Sequence, residues 1–177
     1  MLFSREDVDE ALQALVDELG AAGVPATIDV VGGAAVSLQV EREALTRDID
    51  AFHPATSGFT DAVARVGGAR GWPEGWLNDA VTMYASHYDT ADDWDVRIEG
   101  DGVVVRVARA ELLLAMKLLA GRGRRDSGDI DRLLDACGIT TLAAAQGVFD
   151  RYYPNEAIAD PAWRQLQERF DGPGGRS

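Results

Sequence analysis

The sequence has very little lysine, cysteine and histidine. Its 177 residues include one lysine, Lys117, one cysteine, Cys137, and two histidines, His53 and His87. One cysteine excludes an internal disulfide, and so few cysteine and histidine side chains exclude a metal site built from them. No apolar run reaches the length of about 18 residues that a membrane-spanning helix needs. The N-terminus lacks the basic, apolar pattern of a signal region, so we expect a cytoplasmic protein with no membrane segment.

Positive charge is also scarce. There are 30 acidic and 17 basic residues, which give a net charge of −13, and all the basic residues except Lys117 are arginine. An acidic surface repels phosphate backbones, which disfavours extensive non-specific binding of nucleic acid. Arginine-rich usage can reflect genome composition alone. A lysine kept in such a chain still marks a position of interest, because a compact ammonium does not replace a planar guanidinium.

Hydropathy patterns predict an α+β fold: a small mixed sheet flanked by helices, followed by a C-terminal helical segment. We expect an α/β core over 1–108, a helical part over 109–170 and a disordered tail over 171–177. The predicted strands span 26–31, 48–52, 94–99 and 102–107. The predicted helices span 4–19, 34–39, 58–66, 110–120, 127–136, 141–152 and 161–170. Residues 67–76 are rich in glycine and tryptophan and predict an exposed loop.

Two aspartates alternate with an isoleucine in the second predicted strand. Asp48 and Asp50 share one face there, and Ile49 faces the core. Two carboxylates presented together either face water or bind cations, and hard oxygen ligands suit Mg²⁺. A pair of such metals can activate a hydroxyl and stabilise a leaving pyrophosphate. The alternative is a polar strand end in an acid-rich protein.

A glycine pair lies where the first predicted strand turns into a helix. Gly32 and Gly33 lack β-carbons, so the backbone there can approach a ligand, and a helix N-terminus offers N–H groups to phosphate. An ordinary tight turn is the alternative. The order of strand, glycine pair, short helix, loop and strand with two aspartates is more specific than either motif alone.

These motifs resemble the DNA polymerase β-like minimal nucleotidyltransferase superfamily. The first stretch is VVGGAAVSLQVEREALTRDIDAF, residues 30–52. The closer likeness is to nucleotidyltransferase toxins of the AbiEii type and related bacterial proteins, which carry a threonine two residues before the aspartate pair, matched by Thr46. They also carry a helical lysine followed by an arginine- and aspartate-rich segment, matched by LLLAMKLLAGRGRRDSGDIDRLL, residues 112–134.

The resemblance implies a nucleotidyltransferase-type sheet and a specific set of site residues. Asp48 and Asp50 would hold Mg²⁺, as one or two ions. The implied catalytic residues are Asp48, Asp50, Lys117, Asp126 and Asp129. The residues implied in binding the nucleoside triphosphate (NTP) are Gly32, Gly33, Thr46, Arg47, Arg122 and Arg125.

The implied activity is transfer of a nucleoside monophosphate (NMP) from an NTP to a hydroxyl of RNA, such as a tRNA 3′ end, or to a hydroxyl of a protein. The setting would be a toxin–antitoxin or phage-defence module, with a cognate antitoxin or partner protein. One alternative is a catalytically inactive nucleotide-binding or partner-binding domain of the same fold. A further alternative is an antibiotic-modifying nucleotidyltransferase.

The second stretch allows structural interpretations as well. Lys117 lies in an apolar helix, where its ammonium needs an anionic partner or must extend to the helix's polar edge. Asp126 and Asp129 can belong to the site or cap the next helix, and Asp129 is placed to reach back towards Lys117. The basic cluster of Arg122, Arg124 and Arg125 can bind a triphosphate or an RNA end, pair with aspartates, or form a solvated turn.

Two features depart from the superfamily pattern and motivate the inactive alternative. A third carboxylate is expected on a later strand, where Asp95 and Glu99 are the candidates. Ala44 stands where the toxins often have arginine. Separately, Trp72 and Trp76 could form one wall of a base pocket by stacking, or pack a loop onto the core.

Overall fold

The structure, a computed structural model, describes residues 2–40, 45–123 and 126–172. These residues form five strands and seven α-helices. In chain order they are α1 (Arg5–Ala22), β1 (Ala26–Val30), α2 (Gly32–Gln39), β2 (Ile49–Phe52), α3 (Ser57–Arg70), β3 (Leu77–Asn78), β4 (Trp94–Gly100), β5 (Val103–Ala108), α4 (Ala110–Ala120), α5 (Ser127–Ala136), α6 (Leu142–Tyr152) and α7 (Asp160–Phe170). The predicted α+β class, with a mixed sheet flanked by helices and a C-terminal helical segment, is confirmed.

The strands form a sheet in the order β3-β2-β1-β5-β4. The central strand β1 is antiparallel to β2 and parallel to β5, while β4 and β5 form an antiparallel hairpin. Asp29 of β1 lies opposite both Phe52 of β2 and Arg106 of β5. Residues that are opposite one another share a face of the sheet, so this register decides which side chains meet.

One face of the sheet is apolar and buried. Ile28, Val30, Ile49, Ala51 and Val105 are all 0% exposed, and helices α1 and α2 pack against the strands. Burial of each large side chain contributes about 1.5–3 kcal/mol, which makes this face the main source of stability in the sheet. The other face carries Asp29, Asp50, Phe52, Trp94 and Arg106, and we call it the polar face.

The described residues fold into two compact units. The sheet unit lies within 1–83 and 94–108, and the helical unit lies within 84–93 and 109–177. Segment 84–93 therefore belongs with the C-terminal helices, although the predicted boundary at 108 placed it in the core. Within the described residues, no helix combines the length and the apolar character that crossing a membrane would require.

Hydrogen bonds fasten segment 84–93 to helix α6. The buried Asp93 carboxylate accepts from the Tyr152 hydroxyl at 2.7 Å and from Arg151 at 2.8 Å. Burial opposes the charge of Asp93, but bonds from Tyr152 and Thr90, together with the Arg151 charge, hold its pKa below the usual value. The Tyr153 hydroxyl donates to the carbonyl of Tyr84.

The predicted loop over 67–76 is wrong in its first half. Helix α3 continues to Arg70 and ends at Gly71, whose φ of 68° suits the left-handed cap. Trp76 is 2% exposed, and its indole N–H donates to the carbonyl of Val63 at 3.1 Å. A buried indole with a satisfied N–H is a core residue, so Trp76 does not form a wall of a base pocket.

Trp72 also belongs to this aromatic cluster. Its ring lies 4.9 Å from that of Trp76 and 5.3 Å from that of Phe3. The packing alternative for the two tryptophans is therefore the one that the structure supports.

The contact between α3 and Trp76 predicts opposite effects for two adjacent glycines. A β-carbon at Gly67 would lie 2.8 Å from the Trp76 ring, whereas one at Gly68 meets nothing within 4 Å. Alanine favours a helix by about 0.5–1 kcal/mol over glycine, but overpacking a core costs about 1–3 kcal/mol. We expect Gly67→Ala to lower the free energy of unfolding and Gly68→Ala to maintain or raise it. Urea denaturation measures both, and equal effects would contradict this packing.

The lowered pKa of Asp93 predicts a dependence of stability on acid. Its carboxylate contributes stability above the unfolded pKa of about 4, and this contribution is lost as pH falls through the lower folded value. We expect Asp93→Asn to destabilise the protein at pH 7 and to do so less and less as pH falls below 4. Denaturation of the variant and of the exposed control Asp92→Asn at several pH values tests this, and a pH-independent loss would refute it.

Candidate functional site

The aspartate pair stands at the start of β2. Asp48 and Asp50 are half-buried on either side of Ile49, which is 0% exposed. The predicted alternation is present within β2, but the strand begins at Ile49, and Asp48 lies in a bend before it rather than in the predicted strand. Thr46 donates its hydroxyl to the backbone carbonyl of Asp48 at 3.0 Å. This bond fixes the backbone that leads into the aspartate pair, a positioning role for the predicted Thr46.

The glycine pair begins helix α2 directly beside Asp50. The helix starts at Gly32 rather than at the predicted Ala34, so both glycines lie in its first turn. Gly32 has a φ of 64°, and a β-carbon there would collide with the Asp50 carboxylate and lie 3.0 Å from the Asp50 β-carbon. The Val31 N–H donates to the carbonyl of Asp50 at 2.9 Å. Glycine is therefore required at 32, and the two motifs touch.

This arrangement suits a cation that is shared with a phosphate ligand. Val31 precedes α2 and has no side-chain acceptor to cap it, and a helix N-terminus favours anions. Among the described residues, no three histidine, cysteine or acidic side chains form a metal-binding group. Mg²⁺ is commonly held by one or two carboxylates together with substrate phosphates and water. Asp50 beside the start of α2, with Asp48 two residues before it, is compatible with this mode of binding.

Four further residues on the polar face were missed by the sequence analysis. Arg106 donates to both Asp29 carboxylate oxygens at 2.6 Å. Its guanidinium lies 5.3 Å from the Trp94 ring centroid, and the Phe52 ring meets Trp94 edge-on at 6.4 Å. In the sequence, Thr27 and Asp29 alternate with buried residues, which indicates that their side chains share the other face of β1. The pairing of β1 with β2 and β5 was needed to show that Asp29 lies opposite Phe52 and Arg106 and diagonally from Asp50.

Neither candidate for a third carboxylate joins the aspartate pair. Asp95 lies opposite Val107, on the buried side of the sheet, and accepts from the Gln39 amide at 3.0 Å. Glu99 lies opposite Val104 on the polar face but is exposed near the far end of β4. The register instead places Asp29 diagonally from Asp50 on the adjacent strand, and such diagonal pairs are separated by about 7–8 Å.

Lys117 forms a buried cluster of charges in the helical unit. Its ammonium lies 2.7 Å from Asp126 and 3.0 Å from Asp129. The side chains are 13%, 2% and 5% exposed, respectively. Lys117 is therefore not a solvated lysine on a polar helix edge, and Asp129 reaches it from one turn inside α5, as its position predicts.

The alternative that Asp126 caps helix α5 is not supported. Asp126 stands at the N-cap position, but no N–H group of the described helix donates to its side chain. Its two oxygens accept from Lys117 and from the Arg122 N–H, the latter at 3.3 Å.

The predicted arginines that the structure describes belong to different units. The Arg122 guanidinium lies 5.4 Å from the Tyr84 ring centroid, and Arg47 is exposed beside Asp48. Arg124 and Arg125 lie outside the described residues.

The structure thus brings the predicted residues together in two places: Gly32 with Asp50 in the sheet unit, and Lys117 with Asp126 and Asp129 in the helical unit. No family model, curated protein or solved structure matches this chain.

The buried charges around Lys117 predict a large effect on stability. Lys117→Met would leave two buried carboxylates without this cation, and breaking a buried pair costs about 3–5 kcal/mol. Arg169 also bridges two aspartates, Asp131 and Asp135, but these are 46% and 70% exposed. Arg169→Met should cost less than about 1 kcal/mol, as exposed pairs do. Urea denaturation measures both, and losses of equal size would show that the Lys117 cluster is not a structural ion pair.

Proposed function

We propose that this protein is a Mg²⁺-dependent nucleotidyltransferase that transfers a nucleoside monophosphate from an NTP to a hydroxyl group. The proposal depends on one observation above all: Gly32, in the first turn of α2, packs directly against the carboxylate of Asp50. The fold thereby places a helix N-terminus, which favours phosphate, beside a carboxylate that favours a cation. A nucleoside triphosphate with its bound metal would satisfy both the helix N-terminus and the carboxylate.

The chain's own residues have distinct parts in this proposal. Asp48 and Asp50 would hold Mg²⁺, which when bound would supply positive charge to the phosphates of the nucleotide and to the leaving pyrophosphate. The N–H groups of the first turn of α2 orient the phosphates. Thr46 supports the backbone at Asp48. The role of Lys117 at the nucleotide stays a prediction from the resemblance, and its contacts to Asp126 and Asp129 supply a structural role.

The chemical class of the acceptor is inferred from the net charge of the protein rather than from the geometry of the site. A net charge of −13 disfavours a long polyanion. A protein hydroxyl, a small molecule, or an RNA end contacted over a short length, such as a tRNA 3′ end, agrees better with this charge. A toxin–antitoxin or phage-defence setting is a prediction from the same resemblance.

Removing the carboxylate charge should abolish the reaction. Asp48→Asn and Asp50→Asn keep the shape of the side chains, and each is expected to lower Mg²⁺-dependent pyrophosphate release by more than about 100-fold, since a metal contributes several kcal/mol to such chemistry. Each of the four labelled NTPs is tested, with and without tRNA. Glu99→Gln is the matched control, because Glu99 is an exposed acid on the same sheet.

Two outcomes would revise the proposal. Mg²⁺-dependent NTP binding that requires Asp50, without pyrophosphate release under any condition, would identify a nucleotide-binding domain of the same fold. Absence of both NTP binding and pyrophosphate release in the wild-type protein would refute a nucleotide function altogether.

A further inference from the structure

We infer that Phe52 is the stacking surface for the nucleobase of the bound nucleotide. The inference rests on the proposed function and adds a subsite to it. Phe52 follows Asp50 by two residues on β2, so the two side chains share the polar face. Phe52 is half-buried, so the residue is not fully enclosed in the core.

The neighbours of Phe52 hold its ring in place. The edge of one ring meets the face of the other between Phe52 and Trp94, with an interplanar angle of 74°. The Arg106 guanidinium lies against Trp94, and its two bonds to Asp29 fix it in turn. This series of contacts runs through β2, β4, β5 and β1. A ring held by such contacts loses little freedom when a base stacks on it, and stacking of this kind contributes to binding of any base.

The direction along the strand also fits a nucleotide. Gly32 and Asp50 lie at the end of β1 where helix α2 begins, and Asp29 opposite Phe52 lies two residues before Val31. Phosphates at the start of α2 would bring the nucleoside within reach of Phe52, which lies one side-chain step from Asp50 on the same face. The aromatic residues that the sequence offered for this purpose, Trp72 and Trp76, pack against Phe3 and the core instead.

The test separates binding of the base from binding of the phosphates. Calorimetry in the presence of Mg²⁺ measures the affinity of the full-length protein for ATP, UTP, inorganic tripolyphosphate and an RNA trinucleotide without terminal phosphates. Phe52→Leu keeps an apolar side chain but removes the ring, and Phe52→Tyr keeps the ring. We expect Phe52→Leu to weaken ATP binding about 10-fold and UTP binding less, because a purine stacks over a larger area. Tripolyphosphate binding should change by less than about 2-fold, and Phe52→Tyr should bind ATP within about 3-fold of wild type.

The contrary results distinguish this inference from the proposed function. Equal effects of Phe52→Leu on ATP and on tripolyphosphate, or no effect on either, would overturn the stacking role while the nucleotide site stands. Weakened binding of the trinucleotide with unchanged ATP binding would assign Phe52 to the acceptor's base and also overturn the inference. A wild-type protein that binds neither ATP nor tripolyphosphate would refute the proposed function and the inference together. Thermal denaturation confirms that each variant is folded.

Discussion

The close approach of Gly32 to Asp50 is the constraint on which the candidate site depends. Strand β1 pairs with β2 so that the start of α2 meets the second aspartate, and any side chain at 32 would collide with its carboxylate. The same pairing turns Ile49 and Ala51 into the core, where both are 0% exposed. Packing on one face of the sheet therefore fixes the position of the acidic groups on the other.

The fold was more predictable from the sequence than the site. Helix α4 was predicted with the bounds that the structure has, because its apolar run ends at Gly121. Glycine readily adopts the left-handed conformation that ends the helix there, with a φ of 53°. Helix α3 was predicted too short, because Gly67 and Gly68 indicated a loop. In the structure, Gly67 is helical, and the Trp76 ring occupies the space that a side chain at 67 would need. Local propensity gave way there to a tertiary contact that no local pattern contains.

The site residues also differ in whether local sequence patterns or tertiary contacts determine their neighbours. The aspartate pair, the glycine pair and the contact between Lys117 and Asp129 follow from spacings within one or two elements. Asp29, Arg106 and Trp94 come together only through the strand order, in which β5 lies between β1 and β4. Asp29 faces away from the buried Ile28 and Val30 because side chains alternate along a strand, but the residues beside it could not be known without the register.

Arg106 has an electrostatic consequence for the polar face. Asp29 and Asp50 are diagonal neighbours on adjacent strands, and like charges at that range repel one another. Bidentate contact with a guanidinium neutralises Asp29 and orients it towards β5. Arg106 therefore offsets part of the negative charge that Asp29 would otherwise add beside Asp50. Under the proposed function, a cation at the start of α2 would be held by Asp48 and Asp50, while Asp29 stays paired with Arg106.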